Sequence, residues 1–229
     1  MTGIIVELLI SWLLVWLIEK KHLTVLGFKP TKNRMIDLTT GFLLAAFCCA
    51  AYNIMTTAFA NNNWTLNKQS TGQTILRGSW WILISVLYEE LIFRGVLLYL
   101  AIKKIGFNKA CILSAGCFGI YHWFSYNVLG DPLPMIIIFF MTGIFGLMLA
   151  FAFAKTMSLY LPIALHFGWN LFSTVVFSNG PLGKQIFIKT NANQPQGTLS
   201  WLIFLFQVFA LPAFTFWYLK MFKKDATIT

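Results

Sequence analysis

Charge is what this sequence has least of. Only 10% of its 229 residues are Asp, Glu, Lys or Arg, where a soluble domain carries about 25%. That excludes a water-exposed globule, because too few charges remain to cover its surface. Disorder and a collagen-like fibre are excluded as well, since 58% of the residues are hydrophobic. Carboxylates are scarcest. There are seven: Glu7, Glu19, Asp37, Glu89, Glu90, Asp131 and Asp225. Cysteine is also sparse. Cys48, Cys49, Cys111 and Cys117 lie in apolar stretches without a C-x-x-C pair, so they read as packing residues rather than disulfides or zinc ligands. Neither G-x-S-x-G nor H-E-x-x-H occurs.

What is present in quantity is apolar. Seven stretches are long enough, or nearly so, to cross a bilayer as helices of about 20 residues, at 3–19, 37–60, 79–101, 109–126, 133–154, 158–178 and 199–219. The expected fold is therefore all-α, a polytopic transmembrane helical bundle of about seven membrane helices, with eight as the alternative count. Residues 1–229 read as a single integral membrane domain. The first stretch lacks a basic n-region and an A-x-A-like site, so it is expected to be a retained span rather than a signal peptide. The net charge of +10 would suggest nucleic acid in a soluble protein. Here the basic residues flank apolar segments, so the lipid bilayer is the expected partner and nucleic acid is not. Twelve Lys and Arg fall in loops 20–36, 102–109 and 155–157 and in the C-terminal tail, against four in the opposite loops. That bias predicts an outside N-terminus and a cytoplasmic C-terminus. Two polar loops, 61–78 and 179–198, read as solvated connectors, with lids as the alternative.

Ionisable residues inside membrane helices are costly and become functional candidates by default. The third stretch holds Glu89, Glu90 and Arg94, the fourth His122, and the sixth His166 with Asn170. Glu90 and Arg94 are i,i+4, so they share a helix face and are expected to pair. Glu89 is rotated by about 100° from Glu90 and is left free to act. His166 and Asn170 are also i,i+4, as are Phe118 and His122. Counting about 1.5 Å per residue from the helix ends puts Glu89, His122 and Asn170 about 18–20 Å deep and His166 about 12 Å deep. A carboxylate beside a histidine can hold and deprotonate water, while a neutral histidine and an amide can donate to a forming oxyanion. Together they describe hydrolysis of a carbonyl compound, foremost a peptide bond. His22, beside Lys20 and Lys21, is expected to be interfacial.

Three motifs in order carry a family resemblance. Glu89-Glu90-Leu-Ile-Phe-Arg94 matches E-E-x-x-x-R, Phe118-Gly-Ile-Tyr-His122 matches F-x-x-x-H, and His166-Phe-Gly-Trp-Asn170 matches H-x-x-x-N. The set resembles the CAAX protease and bacteriocin-processing (CPBP, Abi) family of intramembrane proteases, whose members commonly have eight spans. The resemblance implies a helical membrane endopeptidase with a catalytic core at about 79–178. It implies water activation by Glu89 and His122, an oxyanion hole of His166 and Asn170, and supporting roles for Glu90 and Arg94. It also implies a bacterial cell membrane, a peptide or membrane-associated protein as substrate, and a part in bacteriocin processing or self-immunity.

The family has often been labelled a metalloprotease. Glu89, His122 and His166 would be the alternative zinc set, while the family's glutamate-type chemistry implies no cofactor. Two other functions remain open on the residues alone. One is a non-catalytic immunity or scaffold protein. The other is a small proton-coupled transporter, against which the lack of a clear internal repeat counts.

Overall fold

The computed structural model describes residues 2–222. Eight α-helices run in the order α1 (Thr2–Glu19), α2 (Lys32–Ala58), α3 (Gly72–Arg94), α4 (Val96–Ile105), α5 (Phe107–Ser125), α6 (Pro132–Thr156), α7 (Tyr160–Leu171) and α8 (Gly197–Phe222). A 3₁₀ turn, Leu23–Leu26, joins α1 to α2, and a π-helical turn, Phe172–Val176, continues α7. The helical bundle is the expected one. Four helices, α1, α2, α6 and α8, are long and apolar enough to cross a membrane. α3 has the length but carries Arg77, Glu89, Glu90 and Arg94, so composition alone hides it. Lys223, Lys224 and Asp225, part of the C-terminal tail used in the charge count, lie outside the described residues.

The expected third stretch, 79–101, is two helices rather than one. α3 starts on a capping box in which the Thr71 hydroxyl accepts from the Thr74 N–H, and the Thr74 hydroxyl accepts from the Thr71 N–H. It stops at Gly95, whose φ of −77° and ψ of −142° leave the helical region. A Cβ there would lie 2.1 Å from the Leu91 carbonyl oxygen, so only glycine makes this turn. The depth count along an unbroken helix therefore does not hold for Glu89. It sits five residues before the last residue of α3, or about 8 Å along the axis.

Small residues bring the helices together around the polar centre. Gly41 on α2 and Gly168 on α7 face each other's helices, and a Cβ on Gly168 would lie 2.9 Å from the Phe42 carbonyl oxygen. Gly146 on α6 lets Phe118 and Arg94 close in, with a hypothetical Cβ only 2.8 Å from the Phe118 ring. The buried apolar residues group beneath and beside this centre. One group includes Leu26, Val96, Tyr99, Ile102 and Phe153, a second Met148, Leu149, Leu161, Leu165 and Leu211, and a third Ile82, Val86 and Val175. Leu9, Phe47, Leu133, Phe140 and Trp201 are instead exposed. They form the apolar exterior that a bilayer would cover.

The loops expected to be plain connectors are joined to each other. β1 (Trp64–Leu66) pairs antiparallel with β2 (Phe187–Lys189), with Thr65 opposite Ile188. Asn62 holds the pair from one side: its side-chain oxygen accepts from Thr190 Oγ1 at 2.9 Å and its amide donates to the Asn191 carbonyl at 2.9 Å. Asn67 donates to the Gln185 carbonyl at 2.8 Å, and the Asn179 amide reaches Asn53 on α2. Trp64 and Phe187 both pack on Phe177. This clasp lies at the end of the bundle where α2 and the π turn finish and where α3 and α8 begin.

Candidate active site

A cavity of about 750 Å³ opens below the clasp and is lined by all four residues expected to act, Glu89, His122, His166 and Asn170. They arrive on three helices, α3, α5 and α7. Glu90 and Arg94 stand behind them, fully buried, and form the expected pair, with Arg94 Nη1 donating to Glu90 Oε1 at 3.0 Å. Arg94 Nη2 also donates to the Gly146 carbonyl at 3.2 Å, and the guanidinium lies 4.1 Å from the centre of the Phe118 ring. The aromatic residue one turn before His122 thus covers the arginine as well as the imidazole.

One link crosses helices in a way that sequence spacing does not reveal. His166 Nδ1 lies 2.8 Å from Glu90 Oε1, the same oxygen that Arg94 holds. The other ring nitrogen, Nε2, faces Glu89 Oε2 at 3.8 Å. That separation is longer than a hydrogen bond. Glu90 therefore fixes the ring plane of His166, and Glu89 sits at its open edge. The 100° rotation between the two carboxylates sends one to each side of the imidazole.

His122 is fixed differently. Its Nδ1 lies 2.8 Å from the Phe118 carbonyl one turn earlier. A carbonyl oxygen only accepts, so Nδ1 carries the hydrogen and Nε2 is left as the acceptor toward the cavity. Phe118 packs edge-on at 4.4 Å and Tyr126 lies at 5.8 Å. Phe145 and Phe118 flank His166 at 5.4 and 6.1 Å. The imidazoles are thus held by aromatic rings as well as by hydrogen bonds.

Charge accounting constrains the cluster. Two carboxylates, Glu89 and Glu90, face one guanidinium, and Glu90 and Arg94 are wholly buried. A dry layer does not hold an uncompensated charge. His166, which both carboxylates face, joins them and Arg94 in one electrostatic cluster. Glu89 Oε2 is buried without a hydrogen-bond partner.

Among the described residues, no group of three or more His, Cys, Asp or Glu side chains is disposed to hold a metal ion. The alternative zinc set of Glu89, His122 and His166 does not form such a group.

Sequence reading missed several lining residues. Trp81, Ile82 and Ser85 continue up α3 from Glu89, while Ser173 and Thr174 of the π turn continue up from Asn170. π turns often re-aim side chains at functional sites, but nothing in the local sequence announces this one. Asn179, Lys189 and Gln194 reach the cavity from the clasp. His22 is away from the cavity, accepting from the Trp12 indole N–H through Nδ1 at 3.2 Å.

Residues 71–172 match the family model described as type II CAAX prenyl endopeptidase Rce1-like. Over this segment, somewhat less than half of the chain, the protein is similar to the CAAX protease family. The segment starts at the cap of α3, ends at the start of the π turn, and contains Glu89, Glu90, Arg94, His122, His166 and Asn170. The four long apolar helices and the match fit an integral membrane protein, and the match supports a CAAX-type endopeptidase in general. No curated protein and no solved structure matches the chain.

Proposed function

We propose that this protein is an intramembrane endopeptidase that hydrolyses a peptide bond with water activated by Glu89 and His122, without a metal. The observation that carries this reading is the convergence of Glu89, His122, His166 and Asn170 on one cavity. Water bound between the Glu89 carboxylate and His122 Nε2 loses a proton to them as its oxygen attacks the scissile carbonyl carbon. The carbonyl oxygen becomes an oxyanion, which the Asn170 amide and His166 Nε2 stabilise. Collapse of the tetrahedral intermediate breaks the C–N bond, and the proton taken from water passes to the leaving amine.

The neutral-histidine donor expected from sequence needs one amendment. His166 Nδ1 faces Glu90, which Arg94 keeps paired, so its hydrogen is directed there. Donation from Nε2 then requires the imidazolium form.

Substrates of this reading are a peptide or a membrane-associated protein, in bacteriocin processing or self-immunity at a bacterial cell membrane. The test compares membrane and secreted peptides from cells expressing wild type and Glu89→Ala. Products present only with wild type, at equal protein levels, support the reading. Normal cleavage by Glu89→Gln would sink it, as would protection of cells by a Glu89→Ala, His122→Ala double variant, which favours a binding role.

A further inference from the structure

The cavity is lined by one lysine. From Glu89 it extends along α3 past Ser85 and Ile82 to Trp81, and from His166 along α7 and the π turn past Asn170 to Thr174. Each ladder spans eight residues of helix, about 12 Å at 1.5 Å per residue. Above them lies β2, whose Lys189 also lines the cavity. Besides the histidines, Glu89 and Lys189 are, among the described residues, the only charge-bearing ones on the wall, and they stand at opposite ends of it. Among the described residues no carboxylate pairs with Lys189. Its Nζ lies 5.4 Å from the Trp64 ring centre, a contact that positions an ammonium without neutralising it.

We propose that Lys189 anchors a carboxylate of the peptide substrate at the mouth of the cavity. This rests on the endopeptidase reading above. An extended chain rises about 3.3 Å per residue, so about four residues reach from the Glu89–His166 layer to the clasp. A peptide whose scissile carbonyl lies at that layer therefore brings a group about four residues away beside Lys189. The neighbouring wall at this height is neutral and polar, with Asn179 and Gln194. A substrate anion would meet no competing carboxylate there. Partial burial already pushes the Lys189 pKa below that of an ordinary lysine, and an incoming carboxylate relieves that cost. Two carboxylates have this chemistry, that of the peptide C-terminus and that of an acidic side chain.

The test uses the full chain in phosphatidylcholine vesicles and a randomised pool of quenched-fluorescent decapeptides. Cleaved sequences are remade with an amidated C-terminus, and separately with Asp and Glu replaced by Asn and Gln. For Lys189→Gln, KM for the carboxylate-bearing peptide should rise about tenfold with little change in kcat. The penalty should vanish for whichever neutral analogue lacks the anchored group, which identifies that group. Lys189→Arg should restore most of the affinity. An equal rise for charged and neutral peptides, or a fall in kcat instead of a rise in KM, overturns the anchor. So does an effect that tracks the phosphatidylglycerol content of the vesicles, which assigns Lys189 to the bilayer. Glu89→Gln separates the two readings. If it cleaves normally while the carboxylate dependence of Lys189→Gln persists, the catalytic assignment fails and the anchor stands. Failure of the wild type to cleave any peptide overturns both.

Discussion

Replacing Glu90 with leucine should be the most damaging single change in the polar centre, and the structure sets how damaging. Arg94 is wholly buried and has Glu90 as its hydrogen-bonded counter-charge. The Gly146 carbonyl and the Phe118 ring remain, but neither carries a charge. Removing one partner of a buried pair costs about 3–5 kcal/mol, and Glu90→Leu also takes away the acceptor for His166 Nδ1. Arg94→Met should cost less, about half as much, because Glu90 keeps its hydrogen bond to His166 Nδ1 at 2.8 Å. The double variant Glu90→Leu, Arg94→Met removes both charges and fills similar volume, so it should recover much of the loss. Reversible unfolding in mixed dodecyl sulfate and maltoside micelles would measure all four proteins. A coupling of about 3 kcal/mol in the cycle is expected. Additive losses, or Arg94→Met proving worse than Glu90→Leu, would refute the charge accounting at this centre.

Other outcomes follow from the same geometry. Glu89→Gln and His122→Ala should each lower turnover by about 10²–10⁴-fold, while protein yield in membranes stays near wild type. Asn170→Ala should lower kcat by about 10²–10³-fold with a smaller change in KM, as steady-state cleavage would show. Activity should survive exhaustive chelation followed by gel filtration, and loss restored by added zinc would contradict the metal-free mechanism. Gly146→Ala should destabilise the fold by about 1–3 kcal/mol, because its Cβ would sit 2.8 Å from Phe118 and 3.2 Å from Arg94 Nη2. A wild-type melting point for that variant would show that α5 and α6 have slack.

Local spacing was enough to read some of this site. The i,i+4 rule paired Glu90 with Arg94 and separated Glu89, and both features are present. Apolar runs gave the helical bundle and most helix positions. What sequence did not reveal depends on partners distant along the chain. Glu90 and His166 are 76 residues apart and β1 pairs with β2 across more than 120, and no local period encodes either contact. The break at Gly95 is hidden because the apolar run passes through it unbroken, and only the close Leu91 carbonyl shows why the helix stops. Lys189 was counted only as loop charge, since its place on the cavity wall depends on the clasp.

The clasp has a consequence for separating the protein's responses to its surroundings. Its cross-loop hydrogen bonds come from Asn62, Asn67, Thr65, Thr190 and Asn191 and from backbone groups. None of these titrates, and none attracts counterions. Acidification or added salt should therefore leave the mouth laced while the ionised cluster below it responds. Protection of the clasp amides from hydrogen exchange should stay level across a pH series in which cleavage changes. The integrity of the clasp and the state of the cluster can then be followed apart.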